Sequence, residues 1–497
     1  MRALKVGCSF LFTLKKYLRS LLLYERVYYY GDINYLHLEV TGLLHLTKHH
    51  NPEQNPELIR RWSKYSTPLN QLIKETDTLF RKMAVHPSPS INDMSTLVNE
   101  KGEVIPSWLP DLDVEFHKLQ SEIKTEKNVV DFGAVGDGIT DNTNAFRKAI
   151  GRGNCKIIIP EGVFVTKGIK LPSNTILVGA GKGKTILKLH HDALKSAILL
   201  TNKHHISGNH HIYVEGMTLD WNVERLPSDE KTASGNNRSS CFTFAHVKYG
   251  WIRRVEAIHA GLHAFDVSST LYYYITDGFV GPGRSQYIWI DECNGYGFGD
   301  DGITTHHSDY IFISKSHMCD PSGRAHEQGY SNSNGIEIDD GSRYVWLVNN
   351  TTTRCFGGVE IKAHHNASAA SNVTIIGHLS VHDNRAFNFR HIGHHKGNDP
   401  ESKTAYNIKA MNLVAIAPIF TSLYEASTPR AMVVSAYRNV VVNQFTVLGD
   451  PTYDFEGNPV IAIQYRAKQV VLNKIYIDGF YHAGGIKGKF HVPEEQT

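Results

Sequence analysis

The sequence is poor in the features that mark several classes of protein. Its 497 residues include six cysteines, with no Cys-X-X-Cys pair, so free and mostly buried thiols are expected rather than a disulfide framework or a zinc site. No apolar run is long enough to cross a bilayer, and no membrane span is predicted. The formal net charge of +3 gives no electrostatic case for nucleic acid as a partner.

The N-terminal part of the chain has a helical pattern. Residues 1–50 form a segment of uncertain role, whose short apolar run favours a packed helix over a signal peptide. Residues 51–127 carry two short heptad seams, which predict either amphipathic helices on a domain surface or a stem that forms a trimer. The seam positions are Leu69, Leu72, Thr76, Leu79 and Met83, followed by Leu112, Phe116, Leu119 and Ile123.

The pattern changes at Asn128, where long helical periods end and short β-rich runs begin. These runs are rich in β-branched and aromatic residues and return at intervals of about 20 to 40 residues, as in a solenoid with variable loops. Hairpin signals of the Asn-Gly type are sparse, which disfavours a sandwich. The sequence therefore predicts an all-β parallel β-helix over residues 128–485, followed by a tail over residues 486–497.

One phrase occurs three times in this region, as GDDGITTHH, NGIEIDDGS and GGVEIKAHH. Its alternation predicts strands with one face in the core and one face in water. Stacked in register with HAFDVSS and AFNFRH, the outward positions form two columns with neighbours about 5 Å apart. The first column is Asp266, Thr304, Glu337, Glu360 and Asn388, and the second is Ser268, His306, Asp339, Lys362 and Arg390.

So many charged groups on one sheet face predict a site. Glu337 and Glu360 on neighbouring rungs should have split pKa values, and His306 beside Asp339 could serve as an oriented general base. The predicted catalytic residues are Glu337, Glu360, Asp300, Asp301, His306 and Asp339. The predicted substrate-binding residues are Asp266, Lys362, Arg390, Asn388, Thr304 and His364.

The same residues permit more than one chemistry. Paired carboxyls suit glycoside hydrolysis, whereas His306 or Lys362 as a base, with Arg390 beside a substrate carboxylate, would suit β-elimination. Adjacent histidines on a strand point to opposite faces, so no metal or other cofactor is predicted. If a metal were bound, Asp300, Asp301, His306 and Asp339 would be its ligands.

Two sets of phrases carry a family resemblance. VVDFGAVGDGITDNTNAFRKAI with IIIPEGVF and ILVGAGKGKTIL resembles the entry of right-handed β-helix proteins of the pectin-lyase-like superfamily, which is common in phage tailspikes. GDDGITTHHSDYIFI with NGIEIDDGSRYV and GGVEIKAH resembles pre-neck appendage proteins of phages that infect Gram-positive bacteria. The resemblance covers roughly residues 128 to 480.

The resemblance implies a virion protein that acts outside the host cell. It implies a homotrimer, attached to tail or neck proteins through its N-terminal region, that binds and cuts a capsule, an exopolysaccharide or a teichoic acid. A non-catalytic receptor-binding spike is the alternative within the same family, and a purely structural role is disfavoured because stacked like charges need compensation.

A comparison with polygalacturonase-type hydrolases bears on the chemistry. Asp300 and Asp301 resemble their aspartate pair, and Lys362 in GVEIK resembles their terminal lysine. The departures are Asn334 at the position of a histidine and Glu360 at the position of an arginine. The resemblance therefore favours hydrolysis over elimination and leaves the acid and the base open.

Overall fold

The structure is a computed structural model that describes residues 46–83, 94–236, 238–270, 275–449, 458–480 and 482–493. Most of the N-terminal segment 1–50 lies outside the described residues. Within the described ranges, no helix has both the length and the apolarity to cross a membrane.

The helices lie near the start of the described chain. They are α1 (Asn55–Trp62), α2 (Leu69–Lys82), α3 (Leu109–Glu122) and α4 (Thr143–Ile150), with single 3-10 turns at Pro52–Gln54, Val129–Phe132 and Val223–Arg225. A small antiparallel hairpin, β1 (Thr96–Val98) and β2 (Val104–Pro106), lies between α2 and α3.

The rest of the described chain winds as a parallel β-helix, as predicted, and is here called the coil. One face of the coil is a sheet of 11 strands in chain order, here called the first sheet. Its strands are β7 (Ile169–Leu171), β10 (Leu200–Asn202), β12 (Phe242–Ala245), β14 (Phe265–Ser268), β17 (Ile303–Thr305), β20 (Asn334–Ile338), β22 (Gly357–Ala363), β24 (Arg385–His391), β26 (Arg430–Ser435), β28 (Ile461–Gln464) and β30 (Ile486–Lys487). Ile486 and Lys487, which the sequence assigned to the tail, therefore belong to the coil.

The remaining strands form the second sheet, which occupies the other two faces of the coil. They are β3 (Glu126–Asn128), β4 (Asp137–Asp141), β5 (Cys155–Ile159), β6 (Gly162–Thr166), β8 (Thr175–Gly179), β9 (Thr185–Leu189), β11 (Asn209–Asp220), β13 (Val247–Ile258), β15 (Gln286–Asp291), β16 (Asn294–Tyr296), β18 (Asp309–Ser314), β19 (His317–Cys319), β21 (Arg343–Thr353), β23 (Ser371–Val381), β25 (Tyr406–Ile416), β27 (Arg438–Leu448) and β29 (Lys468–Asp478).

The long strands of the second sheet bend where one residue adopts a left-handed conformation. Asn349 (φ 56°), Gly377 (φ 66°) and Asn412 (φ 54°) occupy this position on successive rungs. Asparagine and glycine tolerate positive φ better than other residues do. The bend turns each long strand from one face of the coil to the next.

The core fills the inside of the coil. Ile303, Ile336, Ile338, Val359 and Ile361 from the three repeated phrases are all fully buried in it, which confirms their predicted inward direction. Burial of such side chains on every rung is the main source of stability in a solenoid.

The predicted helices of residues 51–127 pack on the outside of the coil. Leu72 of α2 and Leu112 and Leu119 of α3 are buried against a cluster that includes Trp251 and Trp346 of the second sheet. The seams thus lie on the surface of the same chain, as the amphipathic interpretation predicts, whereas trimer formation stays a prediction. These helices contact the second sheet and leave the first sheet uncovered by them.

We expect Phe387→Ala to lower the free energy of unfolding by about 3–5 kcal/mol. The Phe387 ring is fully buried, with ring centroids 5.5 Å from His378 and 5.4 Å from Phe445. Phe420→Ala is the matched control, because Phe420 is exposed and its loss should change stability by under about 0.5 kcal/mol. Denaturant unfolding of both variants measures the difference, and equal effects would contradict the assigned core.

Candidate active site

The first predicted column is present in the register of the first sheet. Asp266 pairs with Thr304, Thr304 with Glu337, Glu337 with Glu360, and Glu360 with Asn388. Lys362 pairs with Arg390 in the second column. The columns therefore bring the predicted residues of five rungs onto one face.

The prediction that this face is wet is wrong. Glu337 is 2% exposed, and Glu360, Asp339 and Asn388 are fully buried. The loop after Cys319 brings His326 to Asp300. The alternation of residues reports which side chains point outward, but it carries no information about the loops that cover them.

Lys362 occupies the centre of the buried face. Its Nζ lies 2.8 Å from a Glu337 carboxylate oxygen and 3.6 Å from Asp339 Oδ2. Burial on its own lowers the pKa of Lys362, but the carboxylates of Asp339 and Glu337 raise it well above the usual value. Lys362 is therefore a fixed positive charge, and this disfavours its predicted alternative use as a base.

The Glu337 carboxyl is the best-connected acidic group. The Asn334 side-chain amide donates to it over 3.0 Å, and Thr304 Oγ1 donates over 3.1 Å. Burial raises the pKa of Glu337, Lys362 lowers it, and nearby carboxylates raise it further, with a net rise. The rise in pKa predicted for one carboxyl of this column therefore occurs at Glu337.

Asp300 and Asp301 are adjacent in the chain and have opposite pKa shifts. Burial and the neighbouring charges of Asp300 and Glu337 raise the pKa of Asp301 well above its usual range. Burial opposes ionisation of Asp300 as well, but the imidazoles of His263 and His326 lower the pKa of Asp300. His326 Nε2 lies 2.7 Å from Asp300 Oδ1. One carboxyl of the pair thus favours the ionised form and the other the protonated form.

His306 lies between two carboxylates. Its ring nitrogens are each 3.5 Å from an oxygen, one on Asp266 and one on Asp339. Burial on its own lowers the pKa of His306, but these two carboxylates raise it to about 10. A histidine that is protonated at neutral pH is a poor general base, so the structure favours a stabilising cation over the predicted base.

We expect the stability contributed by His306 to depend on pH. Because its folded-state pKa of about 10 is above the usual 6.5, the contribution is complete below pH 6.5 and is lost as the pH rises towards 10. The difference in free energy of unfolding between the native chain and His306→Gln should therefore shrink over this window. His191→Gln, at an exposed histidine, is the control. A pH-independent difference would contradict the assigned charge.

Asp339 carries the opposite charge beside this histidine. Burial disfavours its charged form, but Lys362, His364 and His306 together lower the pKa of Asp339 well below its usual value. Further along the first sheet, Arg390 forms an ion pair with Glu360, and Asn388 Nδ2 donates to Glu360 over 2.8 Å. Each of these buried carboxylates thus has at least one cation or donor beside it.

Three basic side chains form the rim of the site, where solvent reaches it. The exposed fractions of the side chains are 30% for His326, 35% for His364 and 22% for Arg390. Burial on its own lowers the pKa of each histidine, but the carboxylates raise it, Asp300 for His326 and Asp339 with Asp340 for His364. The more exposed member of the aspartate pair is Asp300, at 17%.

Sequence reasoning missed several members of this site. His263 and Asn334 contact the Asp300 and Asp301 pair, and Asp340 binds His364 over 3.0 Å. Asp340 directly follows Asp339 in the repeated phrase, which is a usable signal. His326 lies in the polar loop CDPSGRAHEQGYSNSN before the second phrase, which the sequence suggests as a wall of the groove, but its contact with Asp300 follows from no pattern.

Groups of carboxylate and imidazole atoms within 4.8 Å of one another occur at three places in the described part of this site. The groups are His263, Asp300 and Asp301; His306, Glu337 and Asp339; and Asp339, Asp340 and His364. Of the four ligands predicted for a metal, Asp300 and Asp301 lie in the first group, whereas His306 and Asp339 lie in the second. Protonated His306 and Lys362 lie in or beside the second group, and their positive charges would compete with a metal ion there.

The coil and its face of carboxylates define a right-handed parallel β-helix of the pectate lyase type. The chain belongs to the rhamnogalacturonase A/epimerase, pectate lyase-like family, whose profile it matches over residues 127–392. This confirms the resemblance to the pectin-lyase-like superfamily that the sequence phrases carry.

Relatives of known name refine this assignment. The chain is 49% identical over 434 residues to the phage-related protein YobO of Bacillus subtilis (strain 168), covering 87% of this chain and 52% of YobO. It is 38% identical over 452 residues to the pre-neck appendage protein of Bacillus phage phi29, covering 88% of this chain and 51% of that protein. The chain spans about half the length of these curated relatives.

A solved structure agrees with the sequence comparisons. The crystal structure of the N-terminal fragment of phi29 gene product 12 matches with a TM-score of 0.69 and 40% identity, covering 77% of this chain and 62% of that one. The appendage relatives indicate that the chain is a component of a virion, as predicted.

Proposed function

We propose that this chain is the part of a virion appendage that binds and hydrolyses an anionic polymer of the bacterial cell surface. The observation that carries the proposal is the arrangement of the Asp300 and Asp301 pair: Asp300 is partly exposed and hydrogen-bonded to His326 over 2.7 Å, whereas Asp301 is buried beside it. The pKa values of the two carboxyls shift in opposite directions accordingly. Hydrolysis needs one ionised and one protonated carboxyl at the same pH, and a pair whose environments push the two pKa values apart supplies both.

The roles follow from charge and exposure. Asp300 is ionised and partly exposed, and it removes a proton from a water molecule as that water attacks the scissile bond. Asp301 supplies a proton to the oxygen of the leaving group, and solvent restores both protonation states. His326 orients Asp300 through their 2.7 Å hydrogen bond. This chemistry requires no cofactor.

The rim supports an anionic substrate. His326, His364 and Arg390 are the partly exposed basic side chains around the carboxyls, the pKa values of both histidines are raised, and Lys362 adds a buried positive charge. Basic side chains at the mouth of a site favour carboxylate or phosphate groups over neutral sugars. An acidic capsule, an acidic exopolysaccharide or a wall teichoic acid has this chemistry.

The charges favour hydrolysis over elimination. A lyase needs a neutral base for the proton beside a substrate carboxylate. The pKa of Lys362 and the pKa of His306 are both raised, so the two residues suggested for that role hold their protons at neutral pH. Asp300 remains as a base, and the raised pKa of Asp301 beside it supplies the proton donor that hydrolysis needs.

The position in the virion follows from the appendage relatives. We propose that the region before the coil attaches the chain to tail or neck proteins, and that three copies assemble as a homotrimer. Sedimentation of the purified chain measures its oligomeric state directly. A monomer at a concentration like the local concentration in a virion would contradict the homotrimer.

The proposed activity is tested on a panel of polymers. The purified chain is incubated with acidic capsules, acidic exopolysaccharides, wall teichoic acid and neutral dextran. New reducing ends or phosphomonoester ends from an anionic polymer support hydrolysis, whereas ultraviolet absorbance of unsaturated sugars indicates elimination. Binding of an anionic polymer without any cleavage would replace the proposal with a receptor-binding spike.

A further inference from the structure

A second cleft opens on the first sheet, closer to its N-terminal end than the carboxyls. It has a cavity volume of about 820 Å³ and is here called the N-terminal groove. Its charged lining residues include four cations and one carboxylate: Lys167, Lys170, Lys203, Arg238 and Asp192. Lys170, Lys203 and Arg238 are exposed, and within the described part of the chain none of the three forms an ion pair.

The groove lies on the same face of the coil as the active site. Lys170 pairs with Thr201, Thr201 with Thr243, and Thr243 with Asp266, the first residue of the acidic column. Lys170 is therefore three rungs from Asp266, or roughly 14 Å, and five rungs from Glu337, or roughly 24 Å. A polymer that follows the axis of the coil over this face meets both sites.

One wall connects the two sites physically. Lys195, between the lining residues Leu194 and Ser196, forms a 2.8 Å ion pair with Glu230. Thr232 follows in the same loop, and its backbone N–H donates over 2.9 Å to the carbonyl of Arg324. Arg324 lies just before His326 in the loop that contacts Asp300. The loop that borders the groove is thus bonded to the loop that borders the acids.

The groove has exposed apolar side chains beside its cations. Leu194 is 75% exposed on one side, and Ile206 is 80% exposed on the other. Exposed aliphatic side chains beside unpaired lysines suit a ligand with regularly spaced anions on an aliphatic or sugar backbone. A neutral polymer would leave the three cations without partners.

We propose that the N-terminal groove is a distal subsite that binds the anionic groups of the polymer several repeat units away from the bond that is cut. This proposal rests on the proposed function, because the polymer bound in the groove is the same one on which Asp300 acts. It makes the preferred substrate a long polyanion, because a fragment much shorter than the roughly 19 Å between Lys170 and the rung of Thr304, next to Asp300, cannot occupy both places. The shared chemistry is a backbone with repeated phosphate or carboxylate groups.

The test is a charge reversal, Lys170→Glu with Lys203→Glu, on the otherwise unchanged chain. Affinity is measured by calorimetry for poly(glycerol phosphate), for polygalacturonate and for neutral dextran. We expect the variant to bind whichever polyanion the native chain binds at least about tenfold more weakly at low salt, with the difference shrinking as salt rises. The two polyanions distinguish phosphate from carboxylate recognition.

Lys74→Glu with Lys124→Glu is the matched control, because both residues are exposed and lie in the helical region. Its affinity should equal that of the native chain. Where a polyanion is cleaved, the groove variant should raise KM for long chains and leave kcat and the KM for short oligomers unchanged. If the native chain binds a polyanion more tightly than the groove variant does but does not cleave it, the proposed hydrolysis is wrong and the subsite stands. Equal affinity of the native and groove variants, or no affinity of the native chain for either polyanion, would overturn the subsite.

Discussion

Asp300→Asn is expected to lower kcat on the cleaved polymer by roughly 10²- to 10⁴-fold. The substitution keeps the shape of the side chain and removes the charge that would accept a proton from water. The new amide can still bond to His326, so the melting temperature should change little. Because the shape of the side chain is kept and only the proton acceptor is lost, KM should change less than kcat.

The matched control is Asp137→Asn. Asp137 also has a pKa lowered by hydrogen bonds from Thr140, to about 2, but it lies at the start of the coil and is exposed. Its amide variant should retain native kcat. An Asp300→Asn variant with native kcat, folded and monodisperse, would remove Asp300 from the chemistry, and Asp301→Asn would then be the remaining test of the pair.

Lys362→Met is expected to lower the free energy of unfolding by about 3–5 kcal/mol. The methionine fills most of the space of the lysine but leaves Glu337 and Asp339 as buried carboxylates without their central cation. Removing one partner of a buried ion pair costs more than the pair contributes, because the remaining charge has lost its compensation. Denaturant unfolding at neutral pH measures the effect.

A second substitution separates charge from packing in this prediction. Adding Glu337→Gln to Lys362→Met removes one uncompensated charge and should restore a large part of the lost stability, which a double-mutant cycle quantifies. Lys74→Met, at an exposed helical lysine, should be nearly neutral. If Lys362→Met is as stable as the native chain, the described ion pairs do not hold the site together.

The fold and the columns were predictable because they depend on local pattern. Ile336 and Ile338 alternate with Glu337 and Asp339, and this alternation fixes which side chains face the core whatever the loops do. The same glycine-led phrase on three rungs fixed the register, so Glu337 was correctly placed beside Glu360. Both inferences need only the two-residue period of a strand.

The electrostatics of the site were not predictable in the same way. The sequence placed the main pKa split on Glu337 and Glu360, but the opposite shifts lie on Asp300 and Asp301. Those shifts depend on His326, which reaches Asp300 from a loop of irregular length. His306 was predicted to be a base because only Asp339 was expected beside it. A second carboxylate, Asp266, also contacts it and helps to raise the pKa of His306 to about 10, which makes it a cation.

The most direct test of the account is to let the chain cut its anionic polymer in water labelled with heavy oxygen and to analyse the new chain ends by mass spectrometry. Hydrolysis through Asp300 and Asp301 predicts one labelled oxygen at each cleaved bond, in the native chain and not above background in Asp300→Asn. Unlabelled, unsaturated ends would contradict the account, because they would show that the bond is broken by elimination and that water is not the attacking group.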